Sequence, residues 1–420
     1  MTKRKLLMVV GAGASVEFGM PSVAGVRDII NDAIQERYPL LNAPKTNLYE
    51  HIEDIVRRYL ERFVPTPLSR SPQFEDLLYA IFALAAAYPA GIFTSALGAL
   101  ITAAKLPDVS FFSTYPQQAG PDTLRDLGTA SVDAVIDKFR SICVSAETSK
   151  ATEFAHLQGL IAALKTDFDI AIVTMNYDDI MYRAFPGIET GFDPSSGRFE
   201  EQRILNRAEW PCMLHLHGSV HFDMPLPTNP RGDLHEICWM PSLSGTFSNN
   251  ASGRGTRRLA EGAEFPTSVI VAGYGKTSQI LRRPFRTYYS ELDRLAANCD
   301  ALLFAGYGFG DMHLNMAFQT YRDARHRPVA VIGFAPDEAM TMSGAEFGDH
   351  NPMIIELIHT FKTDRHSMLA LGHAVPHTVH ALKTAEEFEM SDRPDTPLAL
   401  WYNGMLAACA NPSKVIARLV

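Results

Sequence analysis

The chain has 420 residues, of which 46% are hydrophobic, and a formal net charge of -9 at pH 7. This length supports a large hydrophobic core with one or two further modules. The negative balance excludes an overall basic surface for nucleic acid or anionic lipid. The five cysteines are scattered and form no C-x-x-C pair, which favours a reducing, cytoplasmic location over a disulfide framework or a zinc ribbon.

The first predicted element is the strand LLMVV, residues 6–10, and the glycine-rich turn GAGAS follows it at once. A secretory signal would need a longer apolar stretch and a small-residue cleavage site. In the turn, Gly11 and Gly13 would let the backbone approach a phosphate. A dinucleotide fingerprint would have a third glycine at Val16 and an acidic ribose-binding residue further on, and both are missing. The turn alone leaves a nucleotide loop and an ordinary tight turn open.

A long stretch without a strand pattern separates this strand from the next one. Segments such as NLYEHIEDIVRRYLERF have apolar residues at three- and four-residue spacing, which predicts a helical insertion over 38–165. Its uncharged run from Leu77 to Ala104 is long enough to span a bilayer, but Pro89 and Gly91 interrupt it. We interpret the run as two shorter buried helices and expect no membrane segment.

Further apolar, β-branched runs predict parallel strands. They are DIAIVT (169–174), CMLHL (212–216), SVIVAG (268–273), ALLFAG (301–306) and PVAVIG (328–333). The helical patterns between several of them indicate an α/β fold with an open, Rossmann-like parallel sheet. Proline, glycine, serine and asparagine at about 225–265 indicate a loop insertion. The pattern of 337–420 predicts a mainly helical C-terminal region.

Polar residues follow three of these strands, at the sheet edge where α/β proteins bind ligands. TMNYDD places Asn176 and Asp178 after one strand, and LHLHG places His217 beside a glycine after the next. His215 alternates with apolar residues, so we expect it to point to the other face. AGYGFGD ends at Asp311, which is suited to cap a helix, to contact a ligand, or both.

Two other features predict no site. The stretch GYGKT, residues 273–277, lacks the first glycine of a P-loop, so we expect no ATP site there. The fourteen histidines show no ligand spacing with cysteine or acidic residues, so no metal is implied.

Taken in order, GAGAS with GMPS, TMNYD, HG and AGYGFGD resemble the sirtuin domain. They are more closely similar to the bacterial sirtuin-like proteins that destroy NAD during antiphage defence. FEDLL, residues 74–78, resembles a recurring feature of that group. The resemblance covers roughly Lys5 to Ala335 without the insertions, and it implies an NAD-binding catalytic domain over 1–37 and 166–336.

The resemblance also implies roles for particular residues, with Asn176 and His217 as the catalytic pair and NAD as the substrate. The residues expected to bind NAD are Gly11, Ala12, Gly13, Ser15, Thr174, Asp178, Gly306, Tyr307, Gly308, Asp311 and Asn315. Deacetylating sirtuins carry four zinc-binding cysteines in two close pairs and an aromatic–arginine pair in GIPDFR. This chain has neither, and reads GMPSVAG at that place. We therefore expect no zinc, and peptide deacetylation is disfavoured.

The expected function is hydrolysis of NAD to ADP-ribose and nicotinamide by an antiphage-defence effector. Nicotinamide leaves as a neutral ring, so the site must supply orientation, charge stabilisation and a placed nucleophile. Three alternatives stay open: a deacylase or ADP-ribosyltransferase with the same residues, a non-catalytic sensor of NAD or ADP-ribose, and a coincidental structural cluster. We expect a homo-oligomer without direct nucleic-acid binding, and the resemblance adds a HerA-type ATPase as a partner.

Overall fold

The computed structural model describes residues 2–63, 71–87, 107–111, 115–118, 120–225, 236–249, 258–259, 262–263, 268–273, 276–318, 327–335, 357, 360–361, 375–391 and 398–420. The described strands are β1 (Arg4–Val10), β2 (Pro39–Leu40), β3 (Ala43–Asn47), β4 (Asp108–Phe111), β5 (Tyr115–Gln118), β6 (Phe168–Thr174), β7 (Met213–His215), β8 (Phe222–Asp223), β9 (Cys238–Trp239), β10 (Arg258–Leu259), β11 (Gly262–Ala263), β12 (Ala301–Ala305), β13 (Val329–Ile332), β14 (Glu389–Met390) and β15 (Leu398–Trp401). The described helices are α1 (Gly13–Val16), α2 (Val23–Ile34), α3 (Leu48–Phe63), α4 (Phe74–Ala87), α5 (Pro121–Ser149), α6 (Ala151–Asp167), α7 (Ile180–Ala184), α8 (Gln202–Leu205), α9 (Lys276–Ile280), α10 (Phe285–Asn298), α11 (Met312–Ala317), α12 (Val375–Ala385), α13 (Gly404–Ala410) and α14 (Pro412–Ile416).

The central sheet has the strand order β14-β15-β13-β12-β1-β6-β7. Every neighbouring pair is parallel except β14 with β15. Numbered along the chain, the six parallel strands stand in the order 3-2-1-4-5-6, which is that of a doubly wound dinucleotide-binding fold. The prediction of a Rossmann-like α/β sheet is confirmed. The chain reverses direction across the sheet between β1 and β12, where such folds form their ligand crevice.

Continuous apolar runs form the middle of this sheet because both of its faces are covered. Residues 6–10 of β1 are fully buried and pair with β6 on one side and β12 on the other. The prediction of a sheet strand at 268–273 is wrong. Ile270 forms a single antiparallel bridge to Gly218, beyond the end of β7. Gly218 has a φ of +110°, which turns the chain away from the strand direction and prevents a longer ladder.

The C-terminal region predicted at 337–420 is mainly helical in its described part, and it also contributes two strands to the sheet, which the sequence pattern did not predict. β15 pairs with β13 in parallel register, and the short β14 adds an antiparallel edge. Helices α13 and α14 follow β15 and pack on α6. A run of four residues is too short to separate from a buried helix segment by its pattern, which explains why β15 was not predicted.

The insertion predicted at 38–165 is mostly helical in its described part, but it is not purely helical. β2, β3, β4 and β5 form a separate four-stranded antiparallel sheet beside helices α3 to α6. Of the uncharged run at 77–104, the structure describes only the part within α4. Among the helices that the structure describes, none combines the length and apolar character needed to cross a membrane. Most of the predicted loop at 225–265 lies outside the described residues.

Candidate functional site

Two glycine-containing turns meet at the crevice between β1 and β12. The N–H of Gly13 donates to the carbonyl oxygen of Gly306 at 3.0 Å. A Cβ at Gly11 would lie 2.7 Å from that same carbonyl oxygen, and a Cβ at Gly306 would lie 1.9 Å from the nitrogen of Ala14. Gly306 also has a φ of +58°, which disfavours a side chain. Both positions therefore require glycine for the turns to touch.

The turn after β1 is followed by a single helical turn, α1. Its C-cap is Glu17, and Gly19, with a φ of +90°, turns the chain shortly afterwards. The N–H groups of Gly13, Ala14 and Ser15 all donate to backbone carbonyls in this conformation. A large helix dipole is therefore absent from this turn, and phosphate binding by the turn stays a prediction.

Asn176 connects the end of β6 to the glycine turn. Its Nδ2 donates to the carbonyl oxygen of Gly11 and to Oγ of Ser15, each at 2.9 Å. A carbonyl oxygen can only accept, so the amide nitrogen must face Gly11 and both amide hydrogens are used. Its backbone N–H donates to Oγ1 of Thr174 at 3.0 Å. The carbonyl oxygen Oδ1 is left as the atom of Asn176 that can accept from a ligand.

Asp178 lies in the same polar chain and is almost fully buried. Burial raises the pKa of its carboxyl from 3.8 to about 6, although the Ser15 hydroxyl and the backbone N–H of Ile180 lower it in part. The neutral acid is thus populated at mildly acidic pH, and a raised pKa of this kind is unusual for an aspartate and typical of functional sites.

His217 follows β7, and a hydrogen bond to its backbone fixes its position. Its carbonyl oxygen accepts from the N–H of Val271 at 2.8 Å. Its ring nitrogen Nε2 lies 3.1 Å from Oδ2 of Asp311. Nε2 has no partner that meets hydrogen-bond angles, so the contact with Asp311 becomes an ion pair only when the imidazole is protonated.

Asp311 has two roles at this position. Its Oδ1 accepts from the backbone N–H groups of His313 and Leu314, so it caps α11 as predicted. Burial raises the pKa of its carboxyl, but the His217 ring and the Lys276 ammonium outweigh this and keep the pKa well below its usual range. The carboxylate is therefore charged beside the imidazole and can stabilise a positive charge that forms on it.

These polar groups open into a cavity of about 160 Å³. Five predicted site residues line it, namely Ala12, Ser15, Asn176, Asp178 and His217. The other lining residues are Met20, Pro21, Val23, Val26, Phe74, Glu75, Phe139, Met175 and Tyr177. Pockets that enclose a whole drug-sized ligand measure about 300–1,000 Å³, so this one fits one ring and its sugar rather than a dinucleotide.

Part of the cavity wall comes from the insertion, and sequence reasoning assigned no site residue there. Phe74 and Glu75 belong to the first turn of α4, and Phe139 belongs to α5. The motif FEDLL was the available signal for two of them. Apolar wall residues such as Phe139 have no chemical signature in a sequence, because any core helix carries them.

The remaining predicted residues lie outside the cavity. The Tyr307 hydroxyl lies 2.8 Å from Oδ1 of Asn315, and Nδ2 of Asn315 donates to the carbonyl oxygen of Phe309 at 2.7 Å. These bonds shape the turn after β12, and Gly308 is exposed within that turn. The turn reaches the cavity only through Asp311 and its contact with His217.

The neighbouring histidines do not take part in this arrangement. His215 is fully buried against Phe222 and Trp239, and burial lowers its pKa to about 3. It is therefore neutral, and it lies away from the cavity. His221 stacks on Trp239 and lies 3.6 Å from Asp179.

In the part of the chain that the structure describes, no group of three or more histidine, cysteine or acidic side chains could hold a metal ion.

The SIR2-like domain family matches residues 170–347. This range includes Asn176, His217 and Asp311, so these three residues lie in the part of the chain that is similar to a SIR2-like domain. No curated protein matches the chain.

Solved structures of Sir2 proteins align with low similarity. Two mutants of a Sir2 homologue in complex with ADP-ribose are 11% and 12% identical, cover 86% of this chain and 93% of theirs, and give a TM-score of 0.31. Sir2Tm bound to a propionylated peptide is 10% identical, covers 80% of this chain and 83% of its own, and gives a TM-score of 0.28. The fold assignment rests on the strand order of the central sheet.

Proposed function

We propose that this protein hydrolyses NAD to nicotinamide and ADP-ribose at the cavity beside the glycine turn, as an effector of antiphage defence. The observation that carries the proposal is the convergence of Asn176, Asp178 and His217 on one cavity at the strand ends of a doubly wound sheet. The SIR2-like match over 170–347 supports NAD as the molecule that is bound.

Asn176 is proposed to hold the ribose or the attacking water. Both of its amide hydrogens are used on Gly11 and Ser15, which fixes the side chain in one orientation. Its Oδ1 then offers one acceptor to a sugar hydroxyl or to a water. A fixed acceptor of this kind provides orientation, which is the main requirement when the leaving group departs without protonation.

His217 is proposed to act as the general base toward a ribose hydroxyl or the water. The imidazole gains a positive charge when it takes the proton, and Oδ2 of Asp311 lies 3.1 Å from Nε2 to stabilise that charge. Asp178, with a pKa raised to about 6, adds little negative charge to the cavity at mildly acidic pH and more above it.

Water is proposed as the acceptor because the features of a peptide-acyl site are missing from the sequence. The chain lacks the two close cysteine pairs and the aromatic–arginine pair of deacetylating sirtuins. Four of its five cysteines are buried singly in the core, and Cys238 is partly exposed.

The proposal is tested by the rate of NAD loss in purified variants. We expect Asn176→Ala and His217→Ala each to lower turnover by about 10²-fold or more, because each removes a fixed group from the reacting centre. Asn298→Ala and His156→Ala are matched controls, since both residues are exposed and neither lines the cavity. Circular dichroism of all four variants checks that each is folded.

Full turnover in both folded site variants would contradict the proposal, and binding of NAD without cleavage by the unaltered protein would favour a sensor. Cleavage only when an acylated peptide or a protein acceptor is present would favour a deacylase or an ADP-ribosyltransferase.

We further propose that the active form is a homo-oligomer that associates with a HerA-type ATPase, as the resemblance implies. We expect a shift to larger mass in size-exclusion chromatography with light scattering when such an ATPase is added. A single monomeric mass under both conditions would contradict this.

A further inference from the structure

Two sequence motifs that the proposed function leaves unused contact each other in the fold. Nζ of Lys276, from the GYGKT stretch, lies 2.8 Å from Oε2 of Glu75, from FEDLL. Gly273, with a φ of +69°, lies so close to α4 that a Cβ would be 2.7 Å from Cβ of Leu78. The pair therefore stands beside a tight backbone contact between α4 and the segment 268–273.

On the α4 side, the pair reaches the cavity directly. Glu75 and its neighbour Phe74 both line the cavity, at the first turn of α4. The Glu75 charge also contributes to raising the pKa of Tyr177, another lining residue, after the larger effect of burial. A movement of this turn of α4 would change the shape and the charge of the cavity.

On the other side, the pair reaches His217 by two routes. The segment 268–273 donates the N–H of Val271 to the carbonyl oxygen of His217, and its Ile270 forms the bridge to Gly218. The Lys276 ammonium also contributes to keeping Asp311 ionised beside the His217 ring. Lys276 therefore follows the segment that bonds to the His217 backbone, and its charge acts on the carboxylate beside the His217 ring.

We propose that Glu75 and Lys276 are positioning residues whose ion pair fixes α4 of the insertion against the segment that supports His217. The inference rests on the proposed function, because it concerns the geometry of the same site. The side chains of Lys276 and Glu75 are 23% and 35% exposed. Partly exposed pairs add little to overall stability, so the effect should appear in turnover more than in unfolding.

The test compares charge-removing variants with a charge reversal. We expect Glu75→Gln and Lys276→Met each to lower kcat for NAD by about fivefold, with a small change in KM. A fall of this size is what the loss of one ion pair that is partly screened by solvent can produce. The double variant should be no slower than either single variant. Exchanging the charges, Glu75→Lys with Lys276→Glu, should give a higher kcat than Lys276→Glu alone, since the pair is restored.

A control pair of similar geometry is available at Arg283 and Glu201, whose Nη1 and Oε2 atoms lie 2.9 Å apart. Neither residue lines the cavity, so Glu201→Gln should leave kcat unchanged. The proposal would be overturned if the kcat losses of the two single variants multiplied in the double variant. It would also be overturned if exchanging the charges gave no recovery of kcat.

Hydrogen–deuterium exchange gives a readout that needs no NAD. Glu75→Gln should raise exchange of the Val271 amide by about fivefold, because that amide bonds to His217. If the unaltered protein leaves NAD intact, the proposed function fails and the pair is judged by exchange alone. In that case, unchanged exchange of the Val271 amide would overturn the proposed role of the pair. In an active enzyme, raised exchange of this amide with an unchanged kcat would also overturn it.

Discussion

At the scale of single residues, the site combines two carboxyl groups whose pKa values are shifted in opposite directions. Asp311 is kept ionised next to His217, whereas burial holds the pKa of Asp178 near 6. Groups with pKa values moved apart by their surroundings are suited to different tasks in one site. The sequence predicted these two aspartates as site residues, but it could not predict their pKa values. Those values depend on burial and, for Asp311, on interactions with His217 and Lys276 from other segments.

Replacing Asp311 separates its charge from its capping role. Asparagine caps a helix about as well as aspartate, so Asp311→Asn should preserve the start of α11 while removing the charge beside His217. We expect kcat to fall by about 10- to 100-fold with a change in melting temperature of at most a few degrees. Asp311→Ala should lower both kcat and stability. Equal kcat in Asp311→Asn and the unaltered protein would show that the carboxylate does not assist His217.

Asp178 makes stability depend on pH in a definite direction. The pKa is about 6 in the folded protein and 3.8 in the reference state, so the folded protein holds the proton over that interval and loses stability as pH rises through it. The difference of about two pKa units lowers the free energy of unfolding by about 3 kcal/mol above pH 6. Below the reference pKa the same group has no effect on that free energy. Asp178→Asn should therefore raise the melting temperature at about pH 8 and leave it nearly unchanged at about pH 4. A stabilisation that is equal at both pH values would contradict this assignment.

At the scale of elements, the sequence indicated the strands in the middle of the sheet and the two glycine turns. β1, β6, β7, β12 and β13 are apolar runs bounded by glycine or polar residues, which is a local pattern. β15 is an apolar run too short to tell from a buried helix segment, and the strands β2 to β5 of the small sheet lack such a pattern. The run at 268–273 has the pattern of a strand, but Ile270 pairs with Gly218 in the turn after β7 and not with a strand of the sheet.

The contact between the two glycine turns is tested at Gly306. Its positive φ and the 1.9 Å approach of a Cβ to Ala14 leave no room for a side chain. Gly306→Ala should cost about 3 kcal/mol or more and abolish NAD binding, because the turns must separate. Gly308→Ala is the matched control, since a Cβ there meets nothing within 4 Å. Similar unfolding free energies for both variants would show that the turns do not depend on this contact.

At the scale of the whole molecule, the insertion and the C-terminal region are both joined to the central sheet. The insertion supplies part of the cavity wall through α4 and α5. The C-terminal region supplies β15, and Oε2 of Glu17 accepts from the N–H groups of Met405 and Leu406 at the start of α13. The segments predicted at 337–420 and 38–165 are therefore continuous stretches of the chain, but each contacts the rest of the protein rather than standing apart as an independent folding unit.

Deleting 398–420 tests the role of the C-terminal region. This deletion removes β15 from the sheet and α13 from α6, so we expect little folded protein in the soluble fraction. Glu17→Ala is the milder variant and should cost about 1–3 kcal/mol, because it leaves two backbone donors without their acceptor. Glu36→Ala, at an exposed position, is its control. A deletion variant that unfolds cooperatively at the original temperature would show that the region is a separate unit.

The central claim is tested most directly by identifying the products formed from NAD. Purified protein, alone and with a HerA-type ATPase, is incubated with NAD, and the products are separated by liquid chromatography and identified by mass spectrometry. We expect nicotinamide and ADP-ribose in equal amounts without any acylated peptide, and neither product from Asn176→Ala or His217→Ala. Intact NAD under both conditions, or nicotinamide release that requires an acylated peptide, would contradict hydrolysis at this site.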